Sequence, residues 1–235
     1  MRFVRFAALM GGALLAVAVL VIATANAAEG IETPAHDVLA TAPAPSSLEG
    51  VGAIELRRYA PMIVAEVTVE AEDRDAASSK GFRPLAGYIF GRNAPESEIA
   101  MTAPVTTAPA DGNAIPTGEG RRIAMTAPVT TSPGDGEGAY TVRFMMPSQY
   151  TMETLPRSLD PNVRLVEVPG RDLVALRFTG ERSAERVEEV ADAVQAFVNG
   201  RGLEPIGPFA TAGYDGPDVP TARRRWEVQQ PVARR

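Results

Sequence analysis

The sequence predicts an α+β domain in which the order strands, helix, strands occurs twice. Three observations carry this. Short segments alternate apolar and polar residues with period 2, two stretches carry apolar stripes at helical spacing, and one nonapeptide occurs twice. The 235 residues are 45% apolar, enough to build a core, with no cysteine and one histidine, His36. Disulfides, thiolate nucleophiles, iron–sulfur clusters and cysteine-ligated zinc are therefore excluded, as is any site needing two imidazoles.

Arg2 and Arg5 precede an uncharged run from Phe6 to Ala23 that ends in Thr24-Ala25-Asn26-Ala27-Ala28. A basic start, an apolar stretch and small residues at a cleavage point describe a secretory signal over 1–27, cut after Ala27. The alternative is an uncleaved anchor, since the run approaches the length that spans a bilayer. Export to a periplasmic or secreted location is the expectation. Residues 28–50 are rich in Ala, Pro, Ser and Thr without a steady period, and are expected to be a linker holding His36. The folded domain is expected over 51–232, with a short tail at 233–235.

Within the domain, Ile54–Arg57 and Ile63–Val69 alternate about Ala60-Pro61, which predicts a β-hairpin. Asp73 or Asp75 suits the cap of a short helix, and Pro84 the first turn of a second. Phe82, Leu85, Ala86 and Ile89 then share one face. Ile99–Thr107 recurs identically as Ile123–Thr131, and each copy suits a strand, the pair forming a hairpin. Strands follow at Tyr140–Met146, Val163–Val168 and Leu173–Phe178. Ser183 caps a helix whose Val187, Val190, Ala191, Val194, Phe197 and Val198 form one stripe. Two last strands are expected at Phe209–Tyr214 and Arg225–Val228. Arg223-Arg224-Arg225 reads as a strand end or structural ion-pair cluster.

The net charge of −6 becomes more negative once Arg2 and Arg5 are removed, which argues against nucleic-acid binding. No phosphate loop, nucleophile elbow, paired-histidine metal motif or calcium loop occurs, so no enzyme is expected. What remains is apolar, adaptable surface: Met101, Met125, Met145, Met146 and Met152 with Phe82, Tyr88, Phe90 and Tyr214. The residues point to an exported domain that binds an apolar or amphipathic ligand.

Gly81-Phe82-Arg83-Pro84-Leu85-Ala86-Gly87-Tyr88-Ile89-Phe90-Gly91-Arg92-Asn93, the doubled Ile-Ala-Met-Thr-Ala-Pro-Val, Tyr214-Asp215 and Arg224–Val228 together resemble the SOUL (haem-binding protein) family. Tyr59-Ala60-Pro61 and Tyr140–Pro147 fit the same pattern, and the likeness covers about residues 52–231. The resemblance implies a distorted antiparallel β-barrel with two flanking helices and an internal pseudo-twofold duplication. It also implies a hydrophobic cleft for haem or another tetrapyrrole between the first helix and the Tyr-Asp loop. By position, the walls of that cleft would be Phe82, Leu85, Ala86, Ile89 and Tyr214, with Met101 or Met125 nearby. Lys80 and Arg83 would be the nearest cations for propionates. With no histidine expected inside the domain, iron contact falls to Tyr, Met or Lys80, or to none, so strong axial ligation is not expected. The alternatives are a binder of other amphipathic small molecules and an envelope interaction or scaffold protein. Membrane contact is expected only through an uncleaved N-terminus.

Overall fold

The computed structural model of the protein describes residues 31–94 and 120–234. The first structural half contains β1 (His36–Ala42), β2 (Val51–Tyr59), β3 (Met62–Glu70), α1 (Arg74–Ile89), the short β4 (Asn93–Ala94), β5 (Val129–Pro133) and β6 (Ala139–Met145). The second half contributes the short β7 (Arg157–Ser158), β8 (Arg164–Val168), β9 (Arg171–Thr179), α2 (Ala184–Gly200), the short β10 (Glu204–Pro205), β11 (Ala210–Gly213) and β12 (Arg225–Ala233).

One antiparallel sheet runs in the order β1-β2-β9-β12-β11-β5-β6-β3-β8, with β10 added to β12, and curls into a distorted, partial barrel. From β2 to β8 that order has an internal twofold, because β2, β3, β5 and β6, in chain order, occupy the places that β8, β9, β11 and β12, in chain order, occupy from the other end. Exchanging β2 with β8, β9 with β3, β12 with β6 and β11 with β5 returns the same sheet reversed. The helices obey the same exchange, α1 lying on β3, β5 and β6 and α2 on β9 and β12. The expected pseudo-twofold therefore passes between β11 and β5.

Both faces of the curled sheet are covered, by different chemistry. Residues paired across neighbouring strands share a face. On the outer face, Ile54, Leu56, Val174, Leu176, Phe178 and Val228 meet Val190, Val194 and Val198 of α2 in one apolar core. Ala65, Val67, Val142 and Phe144 meet Leu85, Ala86, Tyr88 and Ile89 of α1 in a second. Close approach of α1 to β6 depends on Gly81, since a Cβ there would lie 2.5 Å from a Val142 methyl. Gly213 likewise leaves space for the Trp226 ring, whose nearest atom would be 2.7 Å from an added Cβ. The inner face carries charge instead: Arg57, Glu66, Arg143, Arg177 and Glu227.

Several expectations need correction. Residues 28–50 are not all linker, because β1 pairs with β2 along His36–Ala42. A bulge between Val38 and Ala40 interrupts its alternation, which hides the strand from a period-2 search. His36 thus belongs to the domain; its ring stacks on Tyr59 at 4.8 Å between centroids, and Nδ1 lies 3.0 Å from the Pro34 carbonyl oxygen. Nor do β2 and β3 form a hairpin: β2 pairs with β9, and β3 with β8 and β6. The Ala60-Pro61 corner abuts the Pro169-Gly170 corner, where a Cβ on Gly170 would be 3.0 Å from the Tyr59 carbonyl oxygen. Each corner's arms pair with the arms of the other. The two short helices are one helix, α1, capped by Asp73, whose carboxylate accepts the Ala76 N–H at 2.8 Å, with Pro84 inside it. The second nonapeptide places Ile123 in the α1 core and Val129–Thr131 in β5, between β11 and β6. The first copy, Met101 included, lies outside the described residues, and with it the expected hairpin of the two copies. Finally, β12 runs to Ala233, one residue into the expected tail.

Candidate functional site

The residues expected to wall a cleft are distributed over two faces of the sheet. Leu85 and Ala86 are 0% exposed and Ile89 4%, sealed between α1 and β6 in the core. Phe82 is 36% exposed and packs edge-on against Phe144, ring centroids 5.3 Å apart. Lys80 donates to the Glu70 carbonyl oxygen at 3.0 Å, and Arg83 lies on the same exposed side of α1. Tyr214 is elsewhere. Gly213 pairs with Val129, which pairs with Phe144, so these three share the outer face beneath α1. One residue along, Tyr214 turns to the inner face and donates its hydroxyl to Glu227 at 2.8 Å. Phe82 and Tyr214 therefore do not bound one slot. Sequence periodicity placed Tyr214 at a strand end but could not assign its face. Met125 is 53% exposed and does not lie in the clefts described below.

Inside the barrel Glu227, fully buried, is the hub of a polar network. Arg57 clamps it through both terminal nitrogens at 3.0 and 3.1 Å, Arg177 donates to Oε1 at 3.1 Å, and Gln229 donates to Oε2 at 2.9 Å. Arg57 also reaches Glu55 at 2.7 Å and the Tyr59 hydroxyl at 3.0 Å. Burial alone would raise the Glu227 pKa. The charge and hydrogen bonds of Arg57, then Arg177 and Gln229, outweigh it and hold the carboxyl below its ordinary value. Burial, with the Glu227 charge adding to it, pushes the Tyr214 phenol well above its usual range. A second cluster joins Glu66 to Arg143 and Arg164, both at 2.8 Å. At the Tyr-Asp corner, Asp215 pairs with Arg225 at 2.5 Å, which makes Arg225 part of the structural ion-pair cluster that its sequence suggested.

The feature able to take a sizeable guest is a cleft of about 820 Å³ at one end of the barrel. Met62, Met145, Met146, Met152, Tyr150 and Ile63 supply its apolar surface. Glu32, Glu153 and Glu167 also line it, and among the described residues no Lys or Arg does. One wall is the extended segment before β1, tied down where Glu32 accepts the Ser148 N–H at 2.9 Å and the Ala35 carbonyl accepts the Ala60 N–H at 3.0 Å. Just beyond it, the Arg121 guanidinium sits over the Tyr150 ring at 5.3 Å. Composition pointed to methionine as the adaptable lining; only the crossing of the β2–β3 and β8–β9 corners brings Met62, Met145 and Met152 to one place.

A planar macrocycle fits this cleft on two counts. The volume lies within the ~300–1,000 Å³ usual for ligand sites, and flexible thioethers with an aromatic ring suit a flat polarizable face. Met and Tyr are also side chains that can ligate haem iron. Among the described residues no group of three or more His, Asp or Glu could hold a metal ion by itself, so iron would have to arrive within its ring.

Comparison with known proteins agrees with this architecture. A family model described as SOUL heme-binding protein matches residues 31–118 and 111–231, in two successive copies. Heme-binding protein 2 of Homo sapiens is 28% identical over 195 residues, 81% of this chain and 82% of that protein. Its Mus musculus counterpart is 28% identical over 169 residues, 71% of this chain and 72% of that one. Among solved structures, the EcmrR C-terminal domain superposes with a TM-score of 0.53 at 12% identity, covering 77% of this chain and 96% of that chain. A hydrolase from Listeria innocua does so at 0.51 and 14%, covering 77% and 91%. These two share the fold. The match to that family model, which spans well over half of the sequence, shows that the chain belongs to the SOUL haem-binding protein family.

Proposed function

We propose that this chain is an exported, non-enzymatic binder that holds haem or another tetrapyrrole non-covalently in the methionine-lined cleft, without strong axial ligation. The observation that carries the reading is the cleft itself, of macrocycle size and lined by Met62, Met145, Met146, Met152 and Tyr150, in a member of this family. Apolar burial at about 25 cal/mol per Å² supplies the affinity. Met and Tyr stand ready as weak ligands to the iron that the porphyrin brings.

Haem titration followed in the Soret region tests the site. A saturable shift near 1:1 is expected, abolished by Met152→Asp and retained by Phe82→Asp. Loss on Phe82→Asp alone would return the ligand to the exposed side of α1. Loose, superstoichiometric uptake by the wild type would overturn the haem reading in favour of other amphipathic small molecules. Export is tested by the intact mass of the protein recovered from the producing cells. The expected mass begins at Ala28; one beginning at Met1 would replace cleavage with an anchored N-terminus.

A further inference from the structure

The large cleft does not end at its methionines. Pro34, Met62, Met145 and Val168 also line a smaller, partly open cavity of about 40 Å³, so the two adjoin. A single water needs about 10–15 Å³, so the inner chamber holds a few waters or one small polar group. Its polar lining includes Arg143 and Arg171, with Thr130, Gln229 and Tyr59, and among the described residues no Asp or Glu. The nearest acid, Glu66, is already shared between Arg143 and Arg164. Across the barrel, Glu227 is shared between Arg57 and Arg177 and takes the Gln229 amide as well. Arg171, the first residue of β9, is an exposed residue, and its side chain makes no hydrogen bond or ion pair with any described residue. The inner chamber therefore has more guanidinium than carboxylate around it, while the described lining of the outer cleft holds three carboxylates, with Arg121 over its Tyr150 ring as a cation beside it.

Resting on the reading of the cleft as a tetrapyrrole site, we propose that Arg171 and Arg143 form an inner carboxylate subsite, which receives one acid side chain of the ligand and orients it acid-end first. A guanidinium fork matches a planar carboxylate, and charge-assisted bonds of this kind strengthen away from water. The acids at the cleft, Glu32, Glu153 and Glu167, repel the same group and reinforce the direction of entry. Desolvation by the surrounding protein, then the neighbouring Arg143 charge, lowers the Arg171 pKa.

The test compares haem with haem dimethyl ester, which keeps the ring and removes both acid charges, on wild type and Arg171→Met. Wild type is expected to prefer haem by about tenfold or more, the value of one good charged hydrogen bond. In Arg171→Met that preference collapses while ester affinity stays, and the melting temperature of the free protein does not fall, because the Arg171 side chain is exposed and bonds to none of the described residues. Propionate ion alone should raise the melting temperature of wild type and not of the variant. Unchanged discrimination in Arg171→Met, or an equal propionate shift in both proteins, would overturn the subsite. If neither porphyrin saturates wild type, the tetrapyrrole reading falls; the propionate arm still decides whether Arg171 binds a carboxylate.

Discussion

Glu227→Gln is expected to be the most damaging single change on the inner face. It leaves Arg57 and Arg177 facing one another with no buried counter-charge, while their other partners, Glu55 and Tyr59 for Arg57, cannot substitute for it. Removing one member of a buried charged set costs about 3–5 kcal/mol. For a chain of this size that is a fall of about 10 °C in melting temperature. Replacing Arg57 and Arg177 by methionine in the same background should recover much of the loss, because the cost lies in unpaired charge rather than in the missing bond. The acid limb gives an independent check. Glu227 is held below its ordinary carboxyl pKa in the folded protein. Its contribution is therefore present above the unfolded pKa and is lost as pH falls through the folded one. Wild type should lose stability over that interval, and Glu227→Gln should lose less. A variant that melts within about 2 °C of wild type, less than 1 kcal/mol at this size, would show that the network is not a charged hub.

Leu85→Ala separates core from cleft. Leu85 is 0% exposed, between α1 and the β6 side chains Val142 and Phe144. Truncation loses the transfer free energy of its methyl groups and leaves a cavity, together about 2–5 kcal/mol. Stability measured by denaturant should fall by that amount with the slope unchanged. Haem affinity of the folded protein should remain at the wild-type value, because no atom of Leu85 faces the methionine-lined cleft. A variant that keeps its stability and loses affinity would mean that α1 lifts from the sheet to admit the ligand. It would restore the cleft walls that the family resemblance assigned to Leu85, Ala86 and Ile89.

Those walls show where sequence reasoning stopped. The stripe of Leu85, Ala86 and Ile89 identified a buried helix face, and the face is buried; what buries it is β6 rather than a guest. Alternation in β2 put Leu56 on one side and Glu55, Arg57 and Tyr59 on the other. A polar face in an open sheet belongs to solvent, but here the sheet curls and the same face becomes the interior, where Arg57 finds Glu227 from a strand 170 residues away. No local signal distinguishes those two cases. The one available hint was compositional: Arg57, Arg143, Arg171, Arg177, Glu66 and Glu227 sit at alternating positions in strands that also carry apolar residues.

By itself the sequence determined the α+β class, the buried face of the first helix at Leu85, Ala86 and Ile89, the second helix with its cap at Ser183, most of the strands, and a duplication visible in element order. Each of these is decided within a few residues, by side-chain period, by a capping oxygen or by a turn residue. Tertiary structure alone decided that β2 and β3 part company at Ala60-Pro61, that Tyr214 points inward beside Glu227, and that the methionines converge opposite three carboxylates. Those outcomes depend on which strands pair and on which way the sheet curls. Pairing joins residues far apart in the chain, and a shift of one residue moves a side chain to the other face.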